Sequence, residues 1–423
     1  MVEGSTAFSQ RDHQVDGSAL MPAHSLRIAM MLESDGPGGA EMMVFRLSEE
    51  LRRRGHTVIP VGPANGTGWL GGLFREAGIS PEVFRLRRPL DPRCVTGLVQ
   101  LFRDHAIDAV HSHEFTMAVY GAAATRVAGI PHVVTMHGGF KSCAALRRRI
   151  ALRWAIRSSA TTVMVSAATR RQFATDLGMN ERRFAVVPNG VPHRTGVAHA
   201  VRAEFGIGAD ECVLLAVGTL ERHKGHRILL EALSHVNRER AGLPWRLIIA
   251  GGRGGDQHDS LLDLVDEAGF SDRVHIVTNR SDIPDLLALS DIFVMPSLIE
   301  GLPMALLEAM IARKAIIASA TAGIPEAIES GRDGLLVAPG DVGGLARGLK
   351  ALLTDPGLRA ESGEAAGARA RKEFSVEVMA DRYESLYAGR IASHGQRSRL
   401  FRPRVHDTTD RSSPADRLGR LAS

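Results

Sequence analysis

Residues 291–310 read DIFVMPSLIEGLPMALLEAM, and this stretch decides the fold. Asp291–Met295 is a short apolar run closed by Pro296 and Ser297, the pattern of a strand buried on both faces. Pro303 suits the first turn of a helix, so Met304–Arg313 is expected to be helical. Strand, loop and helix together make half of a β-α-β unit. The loop carries Glu300, and Glu308 follows more than one turn into the helix. The two carboxylates therefore stand at different depths of one strand-end cleft. Glu308 lies inside Ala-Leu-Leu-Glu-Ala-Met, where burying a carboxylate without a partner is costly. Carboxylates accept hydroxyl hydrogens, so the pair suits a sugar or a ribose.

The same alternation continues in both directions. Upstream, apolar runs at Leu26–Leu32, Thr57–Val61, Asp108–His111, His132–Met136 and Thr162–Val165 read as strands. Helical patterns at Ala40–Arg54, Thr116–Ala128 and Arg147–Arg157 separate several of them. A second series has strands at Cys212–Val217, Arg246–Ala250, Arg273–Val277, Asp291–Met295, Ala315–Ala318 and Gly334–Val337. Its helices are Arg227–Arg240, Met304–Arg313 and Val342–Leu353. This is α/β organisation with parallel sheets covered on both faces. The expected domains are 26–190 and 205–375, with 192–208 as a linker and a last helix over 376–388. Residues 1–25 and 389–423 lack the apolar content needed to offset ordering and are expected to be disordered tails.

In open α/β sheets ligands bind at the carboxyl ends of strands, so the strand-to-helix turns hold the candidates. Ser34–Glu41 (SDGPGGAE) places Gly38 and Gly39 before a helix, where the backbone can approach an anion closely. It is neither a dinucleotide fingerprint nor a phosphate-binding Walker loop. His111, His113 and His137 fall at or just past strand ends. They are open to a structural or a metal-binding reading, and His137, followed by two glycines, is the best functional candidate. Val217–Gly225 (VGTLERHKG) offers Arg222 and Lys224, one of only five lysines, as a fork and a point charge for a diphosphate.

Taken in order, these motifs resemble the retaining glycosyltransferases of the GT-B fold, family 4. EGLPMALLEAM matches the family's E-x7-E motif. GPGGAE, PNGV at 188–191, VGTLERHKG, IAGGRG at 249–254, AGIPEAI at 322–328 and GRDGLLV at 331–337 match in order from about residue 26 to 388. The resemblance implies two Rossmann-like domains facing across a cleft, with the last helix crossing back to the first domain. It implies a UDP- or GDP-sugar as donor, held mainly by the second domain, and no other cofactor. By position Glu308 would hold the ribose hydroxyls, and Glu300 with the Gly301–Leu302 turn the donor sugar. Lys224 and Arg222 would hold the diphosphate, with Gly38 and Gly39 approaching it from the other domain. His137 would lie beside the sugar and leaving group. Gly251 and Asn279, the latter within Val277–Arg280, would flank the nucleotide, and Gly323 would shape the sugar pocket. The catalytic set is then His137, Glu300 and Lys224. Two departures stand out: Thr219 replaces an Arg common after the VG turn, and Ala322 replaces a common Gly. A nucleotide-sugar epimerase of the same fold and a catalytically idle binding protein are the competing readings; the E-x7-E with its Gly-Leu-Pro speaks against the first, and the intact Glu300, Glu308, Lys224 and His137 against the second.

Composition fits an enzyme of this kind. Apolar residues are 44% and charged residues 23%, near the globular average. Asp-x-Asp is absent, so no diphosphate metal site is expected, and the charge on a leaving group would be met by cations and backbone N–H groups. The net charge of +5 suggests an anionic partner, but the 389–423 segment alone carries eight Arg against three Asp. Nucleic acid is therefore not expected. The acceptor would be a glycan, a lipid-linked molecule or a small molecule, in polysaccharide or glycoconjugate biosynthesis, met by loops at 66–92 and 138–147. No run is long and apolar enough for a membrane span or a signal peptide, and three scattered cysteines suit a reducing compartment, so a cytoplasmic protein is expected. Residues 146–157 form a basic amphipathic helix with Leu146, Ile150 and Trp154 on one stripe. A core-facing stripe is the preferred reading; peripheral contact with anionic lipid is the other.

Overall fold

The computed structural model describes residues 25–66, 68–87, 91–138, 145–240, 242–252 and 256–400, without the side chains of 393–400. The expected tail 1–25 thus lies outside the described residues except for Ser25, as do 401–423.

The first unit runs β1 (Arg27–Met31), α1 (Gly39–Arg53), β2 (Thr57–Pro63), α2 (Trp69–Glu76), β3 (Glu82–Phe84), α3 (Pro92–Asp104) and β4 (Ala109–His113). It continues through α4 (Glu114–Ala128), β5 (His132–Met136), α5 (Leu146–Ser158), β6 (Thr161–Met164), α6 (Ala167–Leu177) and β7 (Phe184–Val186). After α7 (Ala198–Glu204) the second unit runs β8 (Cys212–Val217), α8 (His226–Glu239), β9 (Trp245–Gly251), α9 (His258–Glu267), β10 (Val274–Thr278) and α10 (Ile283–Leu289). It ends with β11 (Ile292–Met295), α11 (Met304–Ile311), β12 (Ala315–Ser319), α12 (Ile324–Ala327), β13 (Leu335–Val337), α13 (Val342–Thr354), α14 (Pro356–Glu373) and α15 (Val376–Leu400).

Both sheets are parallel. The first has seven strands in the order β3-β2-β1-β4-β5-β6-β7, the second six in the order β10-β9-β8-β11-β12-β13. Strands such as β1 and β8 are almost wholly apolar because both faces are covered, whereas β4, the middle strand of the first sheet, buries His111, Ser112 and His113. In β1, Ile28 and Met30 enter one core and Ala29 and Met31 another. In β8, Val213 and Leu215 face one core, Leu214 and Ala216 the other. Each order reverses between the first strand of the unit and its neighbour, β1/β4 and β8/β11, which opens a crevice at the strands' carboxyl ends.

The chain crosses between the units twice, and the crossings touch. Val191 N–H donates to Phe374 O at 2.9 Å, and Val376 N–H donates to Val191 O at 3.1 Å. A Cβ on Gly190 would lie 2.4 Å from Ser375 O, so only glycine permits this approach. α15 then packs on the first unit. Arg54 pairs with Glu384, and His56 Nε2 donates to Glu384 at 2.7 Å while its Nδ1 accepts from Leu26 N–H.

Three expectations change. The 192–208 linker contains the helix α7, tied down by Val197 N–H donating to Asp285 at 2.7 Å. The last helix continues past 388 to Leu400, so part of the expected disordered tail at 389–423 is helical. The third concerns α5: the core takes Leu152, Ala155 and Ile156, whereas Leu146, Ile150 and Trp154 are 64%, 59% and 42% exposed. The stripe faces outward, against the preferred reading.

Candidate functional site

Three expected motifs follow strands at the two switch points, the fourth follows β5 next to β4, and the fold brings them to one cleft. The glycine-rich turn follows β1 and the VGTLERHKG turn follows β8. The Glu300 loop follows β11, and His137 follows β5 beside β4.

Lys224 Nζ lies 2.8 Å from Glu300 Oε1, and Ser297 Oγ donates to the same oxygen at 2.8 Å. The carboxylate is thus held by a cation and a hydroxyl, both from strand-end loops. Gly225, at φ 73°, lets the loop after β8 pass the end of β11; a Cβ there would meet Pro296 O at 2.0 Å. Glu308, one turn into α11, is ion-paired with Arg46 of α1. Arg46 is buried, and its Nε and Nη1 have no hydrogen-bond partner.

The two units meet closely here. A Cβ on Gly301 would lie 2.3 Å from His137 O, and one on Gly39 would lie 3.5 Å from Met304 Cγ. The N-termini of α1 and α11 therefore face each other, and each concentrates positive potential. Gly38 is extended at the cap of α1, with the Glu41 carboxylate folded against its Cα. Glu326 of α12 accepts from Ala167 and Ala168 N–H at 2.7 and 2.6 Å, capping α6 from the opposite unit. Asn189 donates to Leu302 O at 2.8 Å and anchors the Gly301–Leu302 turn. Gly323 N–H donates to Gly301 O at 2.8 Å, and a Cβ on Gly323 would strike that oxygen.

The three histidines do converge. His111 and His113 have ring centroids 4.1 Å apart, and His113 and His137 5.3 Å apart. His113 Nδ1 lies 3.0 Å from His137 Nε2. Burial holds His111 and His113 well below the usual histidine pKa and brings His137 down to about 4. The set is neutral near pH 7. Among the described residues no group of three His, Cys, Asp or Glu side chains is arranged to hold a metal ion. Glu114 accepts from His137 N–H at 2.9 Å. Burial, opposed by that bond and reinforced by Glu41 and Glu33, raises its pKa to about 7. Glu114 also has φ 61°, the left-handed region that bulky residues avoid.

A cavity of about 840 Å³ opens against Glu300. Ile299, Thr321 and Ala322 line it from the second unit, and α6 with Arg149 of α5 from the first. No described residue of 66–92 lines it, and 139–144 lie outside the described residues. Arg222 is exposed on a smaller neighbouring cavity of about 470 Å³ that shares Ile299. Gly251 and Asn279 sit further out. Asn279, left-handed at φ 60°, donates its N–H to Gly251 O at 3.1 Å, and Gly251 lacks a Cβ because Leu220 packs on it. The sequence does not single out Arg46, Glu114 or Asn189, whose partners are remote in the chain, and it offers Arg149 only as part of the basic helix.

Two family models match in tandem: Glycosyltransferase Family 4 over residues 37–194 and Glycosyl transferases group 1 over 198–371. The chain belongs to the family 4, group 1 glycosyltransferases of the GT-B fold. The chain is 27% identical over 299 residues to the D-inositol 3-phosphate glycosyltransferase of Pseudarthrobacter chlorophenolicus, covering 66% of this chain and 70% of that one. It is 24% identical over 314 residues to the UDP-Gal:alpha-D-GlcNAc-diphosphoundecaprenol alpha-1,3-galactosyltransferase of Escherichia coli, covering 72% and 81%. Among solved structures, Anabaena HepE in complex with UDP superposes with a TM-score of 0.74 at 24% identity, covering 86% of this chain and all of that one. This glycosyltransferase therefore has the expected architecture, two Rossmann-like units across a cleft.

Proposed function

We propose that this glycosyltransferase moves a sugar from a UDP- or GDP-sugar to an acceptor with retention of anomeric configuration. The observation that carries the reading is the Lys224–Glu300 pair at 2.8 Å, set in a cleft where the N-termini of α1 and α11 converge. Lys224 and the two helix ends meet the negative charge of a diphosphate leaving group. Glu308 takes the ribose hydroxyls, and Glu300, steadied by Ser297, takes hydroxyls of the donor sugar. His137 stands on the opposite wall. Gly251 and Asn279 flank the nucleotide from the sheet edge, and Arg222 assists from the smaller cavity. That HepE was solved with UDP supports a uridine nucleotide.

The acceptor occupies the 840 Å³ cavity between α6 and the Glu300 loop, so the first unit serves the acceptor and the second the donor. Arg149 in that cavity suits an anionic group. The outward Leu146, Ile150 and Trp154 on the same helix suit peripheral contact with a lipid surface. A lipid-linked glycan acceptor fits both, and the diphosphoundecaprenol-linked acceptor named for the Escherichia coli relative supports it. No described helix is long and apolar enough to cross a membrane.

The test is thermal unfolding with UDP, GDP and NAD, followed by assay of UDP- and GDP-sugars for nucleotide release. Protection by UDP or GDP together with release is expected. Protection by NAD alone overturns the reading.

A further inference from the structure

The AGIPEAI segment at 322–328 carries a carboxylate that the proposed reaction does not use. Glu326 of α12 is half-buried and reaches into the opposite unit, to residues 158 and 159 positions away in the chain. Its Oε2 accepts from Ala167 N–H and its Oε1 from Ala168 N–H, at 2.7 and 2.6 Å. These are the first two amides of α6, which have no partner inside the helix. The third, Thr169 N–H, donates to Ser166 Oγ at 3.1 Å, and Thr169 Oγ1 accepts from Ser166 N–H at 3.1 Å. The helix thus carries its own capping box and still leaves two amides to the other unit. Backbone N–H groups at the positive end of a helix make charge-assisted bonds to a carboxylate, stronger than neutral ones.

The carboxylate is braced from behind. Arg369 of α14 donates to Glu326 O at 2.9 Å and to Asp333 at 3.1 Å, and the buried Asp333 accepts from Glu329 N–H at 2.6 Å. Close by, a Cβ on Gly323 would lie 2.9 Å from Ser166 Cβ, so the two units are in contact where the bonds form. The contact joins the two walls of the larger cavity. Ala168 and Thr169, at the capped end of α6, line it from the first unit. Thr321 and Ala322, which lead into Gly323, line it from the second. The donor side of the cleft has cross-links of its own, Asn189 to Leu302 O and Arg46 to Glu308.

We propose that Glu326 is a positioning residue: it clasps the start of α6 to the second unit and so sets the α6 wall of the cavity against Glu300. The clasp itself is independent of the reaction. Its link to the acceptor rests on the proposed function, which places the acceptor in this cavity.

Amide hydrogen exchange of the whole protein without ligand, read by mass spectrometry with single-residue fragmentation, tests the clasp. In the parent the Ala167 and Ala168 amides should be protected. In Glu326→Ala they should exchange about tenfold faster or more, the worth of one such bond, while Thr169, held by Ser166, changes far less. Ala167→Pro breaks the clasp from the other side and leaves Glu326 intact. Proline suits the first position of a helix, and Ser166, at φ −156° and ψ 160°, is already extended as a residue before proline must be. The ring removes one donor and displaces the carboxylate from the other, so Ala168 should exchange faster. Adding Ala167→Pro to Glu326→Ala should change nothing more.

Nucleotide release to water from UDP- and GDP-sugars should stay within about threefold of the parent in both single variants, because the donor side keeps its own cross-links. With decyl diphospho-N-acetylglucosamine as the acceptor probe, KM for the probe should rise about tenfold in Glu326→Ala and kcat should change far less. Glu326→Gln, which keeps one acceptor oxygen, should fall between that variant and the parent. Unprotected Ala167 and Ala168 amides in the parent overturn the proposal, whether or not Glu326→Ala folds. So does unchanged exchange in Glu326→Ala or of Ala168 in Ala167→Pro. A loss of release to water equal to the loss of transfer overturns the acceptor half. If no nucleotide sugar is turned over the proposed function fails, and if the probe alone receives no sugar the lipid-linked acceptor fails; in both cases exchange still decides the clasp.

Discussion

Arg46 in α1 and Glu308 in α11 form an ion pair that crosses the cleft between the two units. The carboxylate proposed to hold the donor ribose is thus already engaged, and ribose hydroxyls compete with a guanidinium for it. Glu308→Gln leaves Arg46 charged and buried without a counterion. We expect a loss of roughly 2–3 kcal/mol, somewhat less than the ~3–5 kcal/mol of a fully buried pair. UDP affinity should fall about tenfold, the loss of a hydrogen bond to a charged group. Adding Arg46→Met should restore most of the stability but not the affinity. Arg46→Met alone should bind UDP at least as tightly as the parent. A tenfold weaker UDP affinity in that variant would show that Arg46 binds the nucleotide itself.

Lys224 and Arg222 are close in sequence but differently placed. Lys224 reaches Glu300, whereas Arg222 is exposed on the smaller cavity. Lys224→Ala should lower turnover by ~10²-fold or more, as when one charge-stabilising donor is removed. Arg222→Ala should cost less than about tenfold, because an exposed cation is screened. Steady-state rates of nucleotide release compare the two. Near-parental turnover in Lys224→Ala would sink the proposed role.

Much of this fold is legible in the sequence. Apolar runs such as CVLLAV and DIFVM admit few alternatives when both faces of a strand are covered, and the E-x7-E spacing placed Glu300 and Glu308 in one cleft. Four features escape the sequence or are misassigned in it. α14 buries Ser362, Gly363, Ala366, Gly367 and Ala370, so close packing of small residues, with a Cβ on Gly363 only 2.3 Å from Arg313 O, replaces an apolar stripe. Arg46 reads as a surface helix residue because its partner is 262 positions away. In α5 the Leu146–Ile150–Trp154 period reads as a core stripe, but periodicity identifies a stripe and not what covers it, and Leu152 and Ile156 take the core instead. Glu114 gave no signal at all, since its position depends on the His137 peptide.

Acid stability follows from the buried imidazoles. Burial lowers His132 to about 3 and both His137 and His226 to about 4, and places His111 and His113 well below 6.5. In the unfolded chain all five titrate near 6.5. The unfolded state therefore binds more protons below pH 6.5, and stability is present above that value and lost as pH falls towards 4. Glu114 runs the other way: its folded value of about 7 lies above the unfolded 4.5, so its contribution is lost as pH rises through 7. Each histidine costs about 1 kcal/mol between pH 7 and 5.5, on the order of 1.4 kcal/mol per unit of titration. Denaturant unfolding from pH 7 to 5 should show a steep loss of stability. Glu114→Gln should steepen it further by removing an opposing group. A flat profile would mean that these histidines are hydrated in the folded protein.

The outward face of α5 gives the last prediction. Leu146, Ile150 and Trp154 lie exposed on one stripe, with Arg147, Arg149 and Arg157 exposed beside them. Arg148 is spent on the Phe115 ring, Arg153 on the Leu177 carbonyl, and Arg149 lines the cavity against Glu300, so Arg147 and Arg157 are available to a surface. Each basic residue near an anionic bilayer contributes about 1 kcal/mol, and each fully buried large apolar side chain ~1.5–3 kcal/mol. The protein should sediment with vesicles containing a third phosphatidylglycerol and should be released by high salt. Leu146→Ser/Ile150→Ser/Trp154→Ser should stay in the supernatant while retaining nucleotide release from the donor, because none of the three residues lines the cavity against Glu300. Arg147→Gln/Arg157→Gln should weaken sedimentation and its salt dependence together. Binding that is equally strong in all these variants would place the contact elsewhere, and binding to neutral vesicles of phosphatidylcholine alone would remove the role of charge.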